Sequence, residues 1–237
     1  MRRTHRRIAT AIVAPLLMTL GSVGCVPEPN PGPTTTTTTT VPAGPVVLSE
    51  GHADAFALEL DGDDLELQVH AEGATEEDPE VAYDPADVVL QAVPEAETTV
   101  PSDPAFAFLG AAGAPTWILP DTETEGLLAP GWAAEDIDAG LVTGDSLDLR
   151  IQSISGPGTV HVYDVDEFGV PDVIVDSGAS FPQTITVATP SHTHAFWAFS
   201  AEGTYTITAD AVGSLLDGTP LSTGVKTFTF VVGPYSA

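Results

Sequence analysis

Two histidines spaced two apart on an extended chain project to the same side, and Ser191-His192-Thr193-His194-Ala195-Phe196-Trp197-Ala198-Phe199 carries such a pair. Imidazoles aimed alike can share one transition-metal ion, while Trp197 and Phe199 point the other way, into a core. Zinc takes four ligands in a structural site, or three and an open position in a catalytic one, so the pair needs partners. Cysteine cannot supply them, because the only Cys is residue 25. His52 and Asp54, in Gly51-His52-Ala53-Asp54, also share one side of a strand, and His70 and His161 complete the inventory. The metal centre expected is His192 and His194 with His52 and Asp54, capturing a transition metal ion such as zinc, or a metal complex. Neutral imidazole suits zinc, copper, nickel and iron alike. The competing expectation is that these histidines are hydrogen-bonded rim residues of a structural or adhesive module with no ligand chemistry.

Other chemistries find less support. Asp164-x-Asp166-x-x-Gly169 has the look of a calcium loop, but Phe168 occupies its fifth position and Val175 its twelfth, where oxygen ligands are required. There is no Gly-x-Ser-x-Gly elbow, no phosphate-cradling glycine loop and no cysteine nucleophile after residue 25. Nothing selects one carboxylate pair for glycoside hydrolysis among 34 acidic residues. Trp117, Trp132 and Trp197 lie in apolar surroundings that suit packing better than a sugar platform. The expectation is a binding or structural protein and not an enzyme.

The N-terminus sets the compartment. Arg2, Arg3, Arg6 and Arg7 precede an apolar run from Ile8 to Val23, which is a secretory signal pattern. The run is shorter than the ~20 residues of a membrane-spanning helix and gives way to Pro27, Pro29, Pro31 and Pro33. Cys25 follows Val23 and Gly24 as a lipidated cysteine follows its lipobox, although Ser22 stands where leucine is usual. Residues 1–25 are thus read as a signal peptide ending at a lipid anchor. Residues 26–45 are a Pro/Thr-rich tether, and 46–234 are one β-sandwich surface domain. Such a protein is extracellular, held at the outer face of the membrane or envelope.

Export removes the four signal arginines and leaves Arg150 and Lys226 against 34 acidic residues, two minus 34 or a formal −32. A surface so acidic repels polynucleotides, which excludes nucleic-acid partners.

The elements that must position the histidines are strands. Phe56-Leu58-Leu60, Leu65-Leu67-Val69, Leu147-Leu149-Ile151, Val160-Val162, Tyr205-Ile207 and Phe228-Phe230 alternate with polar or small residues. Val88-Val89-Leu90 and Val173-Ile174-Val175 are continuous apolar runs, as expected of strands buried on both faces. Turn signals at Asp61-Gly62, Gly156-Pro157-Gly158, Gly169-Val170-Pro171, Glu202-Gly203 and Asp217-Gly218 break the chain into hairpins. The only helical candidate, Ala133 to Gly140, is short enough to be a connector turn. Glu202-Gly203-Thr204-Tyr205-Thr206-Ile207 has the form of a Greek-key tyrosine corner. The fold expected is all-β: an antiparallel Greek-key β-sandwich, immunoglobulin-like or jelly-roll-like.

Five motif groups then occur in order: Gly51-His52-x-Asp54; Thr116-Trp117-Ile118-Leu119-Pro120 with Pro130-Gly131-Trp132; Ser155-Gly156-Pro157-Gly158 leading to Val160 and Tyr163; Phe168-Gly169 with Asp176-Ser177-Gly178; and His192-x-His194-x-x-Trp197-Ala198-Phe199 with Gly203-x-Tyr205. Together they resemble the actinobacterial surface-anchored protein domain, also called the choice-of-anchor M domain, over about Leu48 to Gly233. The resemblance implies a secreted domain attached to the envelope, here by lipid. It also implies an association with an ABC transporter of the metal-uptake kind, which favours transition-metal capture by the histidines. Phe196 replaces the family's usual Asn and Asp121 its usual Gln, removing an amide beside the histidine pair.

Overall fold

Alternation of apolar and polar residues builds strands from one end of the described chain to the other. In this computed structural model residues 44–72 and 80–236 are described. The signal segment, Cys25 and the tether up to residue 43 lie outside them. The strands are β1 (Val46–Leu48), β2 (Gly51–Asp61), β3 (Asp64–Ala71), β4 (Val81–Tyr83), β5 (Val88–Ala92), β6 (Glu97–Thr99), β7 (Pro115–Leu119), β8 (Leu128–Ala133) and β9 (Ser146–Ser155). They continue with β10 (Val160–Val165), β11 (Pro171–Asp176), β12 (Gln183–Ala188), β13 (His192–His194), β14 (Phe196–Phe199), β15 (Gly203–Ser214), β16 (Pro220–Ser222) and β17 (Lys226–Val232).

Three sheets form. The largest runs β1-β5-β17-β15-β9-β12, with β16 beside β15; the others run β11-β10-β14-β7-β6 and β13-β8-β2-β3-β4. One apolar core joins all three. Phe56 of β2 meets Phe228 of β17 edge-on at 4.5 Å, and Trp197 of β14 stacks on Phe230 of β17 at 5.1 Å. Burying each such aromatic fully contributes on the order of 1.5–3 kcal/mol. The all-β sandwich class is as expected.

Strand pairing and burial differ from the sequence expectation. The sheets are not purely antiparallel, because β5 pairs in parallel with both β1 and β17, and β2 with β8. Each parallel partner is reached through a long intervening stretch of chain, which hairpin signals do not report. Val173-Ile174-Val175 is not buried on both faces: Val173 is exposed and only Val175 is buried, because β11 is the edge of its sheet. Val88-Val89-Leu90 is wholly buried, since β5 lies between two neighbours.

Ala133–Gly140 leaves β8 as a turn, as expected. A six-residue 3-10 turn at Pro104–Leu109 was not expected. Asp103 caps it by accepting from the Ala105 N–H at 2.9 Å, and Pro104 opens it. Its Phe106 and Phe108 pack edge-on against Tyr163, which also stacks on Phe196. Burial, reinforced by the Asp121 charge, pushes the Tyr163 phenol up to about 12. The tyrosine corner is present as read: buried Tyr205 donates its hydroxyl to the Ala201 carbonyl at 2.8 Å.

Candidate metal centre

The centre is built along one row of register. His194 of β13 pairs with Gly131 of β8, and Gly131 pairs with Asp54 of β2. Residues opposite one another share a face. The glycine between His194 and Asp54 therefore leaves space where any other residue would set a side chain. A Cβ on Gly131 would stand 2.5 Å from the Thr193 carbonyl oxygen and 3.1 Å from His194 Nδ1.

A β-bulge decides what β2 presents to that space. Asp54 opposes Gly131 and Phe56 opposes Trp132, so two residues of β2 answer one of β8. The inserted Ala55 turns Asp54 to the outer face and Phe56 to the core, a re-aiming typical of bulges beside functional sites. On the other chain segment the extended run divides at Ala195. His192 and His194 stay in the β8 sheet, while Trp197 and Phe199 anchor β14 in the neighbouring one.

Four donors converge as a result. His192 Nε2 is 3.0 Å from His52 Nε2, 2.9 Å from His194 Nε2 and 3.1 Å from Asp54 Oδ1, and His52 Nε2 is 3.6 Å from the same oxygen. One donor atom from each residue lies within 4.8 Å of all the others. Zinc bound tetrahedrally at ~2.0–2.1 Å has ligand–ligand edges of about 3.3 Å, so these separations bracket those of an ion's own coordination shell. His52, Asp54, His192 and His194 thus form a cluster that could hold a metal ion. The burial is graded: Asp54 is 1% exposed, whereas the His192 side chain is 32% exposed and opens the site to solvent.

The polar groups behind these donors fit an ion better than they fit one another. Asp54 Oδ1 is buried and receives no properly directed hydrogen bond. Such an atom is costly in a fold unless a cation or donor completes it. His192 Nδ1 faces a Glu135 carboxylate oxygen at 3.2 Å, which places the proton on Nδ1 and frees Nε2 for a metal. His194 Nδ1 is buried without a bond of good geometry, although the Pro130 carbonyl beside it favours a proton there. Burial pulls the His194 pKa down, and the neighbouring His52 and His192 lower it further. The Asp54 carboxylate raises that of His52 against the opposing effect of burial.

The other named histidines stand elsewhere. His70 lies between two carboxylates, with Nε2 3.4 Å from Glu59 and Nδ1 3.5 Å from Glu80. His161 faces Asp176 at 3.3 Å and takes Phe108 edge-on against its ring. Asp166 is consumed by its own turn, accepting from the Phe168 and Val170 N–H groups at 2.9 and 2.8 Å, as a hairpin and not a calcium loop requires. Phe196 stacks on Tyr163 beneath the 104–109 turn, in an aromatic layer of its own. Sequence reasoning missed Glu135, because a lone acid in a connector carries no periodic signal. It also passed over the spatial meaning of Gly131.

Comparison with known proteins finds no matching family model, no matching curated protein and no matching solved structure. The likeness to the surface-anchored domain therefore rests on the motifs of this chain alone.

Proposed function

We propose that this chain is an extracellular protein, tethered through Cys25 to the cell membrane, which captures a divalent transition metal ion such as zinc and passes it to an associated ABC transporter. The observation that carries the proposal is the convergence of three imidazole nitrogens and one buried carboxylate oxygen, all within 4.8 Å of one another, with four of their six separations at 2.9–3.6 Å. The surface-anchored family it resembles supplies the tether and the transporter. Four protein ligands fill zinc's tetrahedron and leave no position for a reacting water, which favours holding an ion over catalysis with one. Oxygen and nitrogen donors without thiolate, one of them open to solvent, suit an ion that must also leave.

Elemental analysis and titration of the protein beside its His192→Ala/His194→Ala variant test the reading. One equivalent of zinc in the first and none in the second is expected. Equal metal content in both would overturn it.

A second reading follows from the same closure: an ion held by four protein ligands would staple β2 to β13 in a structural envelope module. The two separate on removal of the ion. A cargo site leaves the far-ultraviolet β signal and cooperative melting intact after chelation, and a staple does not.

A further inference from the structure

Around the four donors the chain sets carboxylates that no ligand role accounts for. Glu72 brings Oε2 to 3.4 Å from the position a Cβ would take on Gly51, next to His52. Glu80 lies 3.5 Å from His70 Nδ1, and His70 pairs in register with Asp54. Burial raises the Glu80 pKa, His70 opposes that effect, and the Asp54 charge adds to it, with His52 and Glu135 also close enough to be felt. His52 in turn is held towards its charged form by Glu80 and Glu72 after Asp54. Glu72 thus stands beside the Gly51–His52 backbone, Glu80 across His70 from Asp54, and Glu135 against His192 Nδ1.

Positive charge is missing from the same region. The only Lys and Arg among the described residues are Arg150, paired with Asp210, and Lys226, paired with Asp84. A negatively charged chelate would approach against uncompensated carboxylates. The protein's four donors would also complete the tetrahedral shell of a bound zinc, so a chelator would have to give up every one of its ligand atoms for all four to hold the ion.

Resting on the metal reading above, we infer that the cargo is the free hydrated cation, steered into the centre by Glu72 and Glu80, and not a metal carried in an anionic chelate. Clefts lined by one sign of charge accelerate the arrival of the opposite sign, and salt screens the effect. The chelator is left in solution and only the ion enters.

Stopped-flow uptake of zinc alone by the full chain tests the steering. The comparison sets wild type beside Glu72→Gln/Glu80→Gln and beside Glu95→Gln/Glu97→Gln, the last removing two exposed acids at β6 and the turn before it. All three proteins should reach the same stoichiometry. The rim variant should associate about ten-fold more slowly at low ionic strength, with the gap closing toward ~0.15 M salt, while the β6 variant stays near wild type. Equal rates in all three, or equal slowing in both variants, overturns local steering. A second arm supplies zinc as its nitrilotriacetate complex with isotopically labelled chelator. Zinc retained without label supports the inference, and label retained with zinc overturns it. Failure of every protein to take up zinc in either arm would instead overturn the metal centre itself.

Discussion

Gly131→Ala probes the row that builds the centre. The new Cβ would stand 2.5 Å from the Thr193 carbonyl oxygen and 3.1–3.2 Å from two atoms of the His194 ring. The nearer atom is backbone, so relief requires β13 to move away from β8 as well as the ring to swing. Overpacking of this kind costs about 1–3 kcal/mol. In a domain of this size each kcal/mol shifts Tm by about 2–4 °C, which gives a fall of roughly 2–12 °C for the metal-free protein. Bonds of ~2.0–2.1 Å cannot follow a displaced imidazole. The affinity loss should therefore reach or exceed the ~100-fold upper range seen when an outer partner of a ligand is removed. At zinc one hundred times the wild-type Kd, the wild type gains about 2.7 kcal/mol, whereas a 100-fold weaker variant gains only about 0.4 kcal/mol. The corresponding zinc-induced shifts are about 5–11 °C and about 1–2 °C. Scanning calorimetry with and without zinc reads both numbers. Gly156→Ala is the control, since its Cβ would strike the Tyr205 ring at 2.1 Å and destabilise the fold at another place while keeping the full zinc shift. A Gly131→Ala protein with wild-type melting and an undiminished zinc shift would refute the reasoning.

Other outcomes follow from the surroundings of the four donors and of His161. Removing the carboxylate behind His192 with Glu135→Ala should weaken zinc about 10–100-fold in calorimetric titration, and Glu135→Gln less, because an amide oxygen still accepts from Nδ1–H. A proton on His52 competes with the ion, and its pKa lies above 6.5 because the Asp54 carboxylate outweighs burial. Affinity is therefore full well above that raised pKa and falls as pH drops through it, by about ten-fold per unit for each proton displaced; a Kd unchanged between about pH 8 and about pH 5.5 would contradict this. His161 is the opposite case for stability: burial lowers its pKa, so the unfolded chain binds the proton first, and stability is whole above 6.5 and lost as pH falls from there towards the folded value. Urea midpoints across that window should fall less steeply in His161→Asn, with the remaining slope belonging to His194, whose pKa burial also lowers, and an unaltered slope would show that His161 is not responsible. Tyr205→Phe loses the bond to the Ala201 carbonyl and should cost about 1 kcal/mol in the same assay.

The local grammar of the fold was legible because strand periodicity acts over two residues. Leu147, Leu149 and Ile151, or Phe228 and Phe230, alternate for the same reason that they are buried. What was illegible depends on neighbours far away in the chain. Val88-Val89-Leu90 and Val173-Ile174-Val175 are equivalent as sequence, yet β5 acquires a partner on each side and β11 on one. The number of partners, not the composition of the run, sets how many faces are covered. Parallel pairing of β2 with β8 is likewise a property of the connection and not of either strand. The Pro104–Leu109 turn did leave a signal, an Asp cap followed by proline, but six residues are too few for a helical period to show.

The site was half legible, and the missing half was present as an inconsistency. Spacing alone put His192 with His194 and His52 with Asp54, and the structure brings those four together. Yet His52, Asp54, Phe56, Leu58 and Leu60 fall on one parity, and a regular strand would turn polar ligands and core side chains to the same face. Both demands can be met only if the alternation slips between Asp54 and Phe56, and the slip occurs there, with Ala55 as the extra residue. A parity conflict between candidate ligands and core residues in one strand is therefore itself a sign of a bulge beside a site. No such conflict arises on the other segment, where the odd step from His194 to Trp197 already changes face. That asymmetry explains why β2 needed an inserted residue to serve both the centre and the core, while the histidine pair needed only a change of sheet at Ala195.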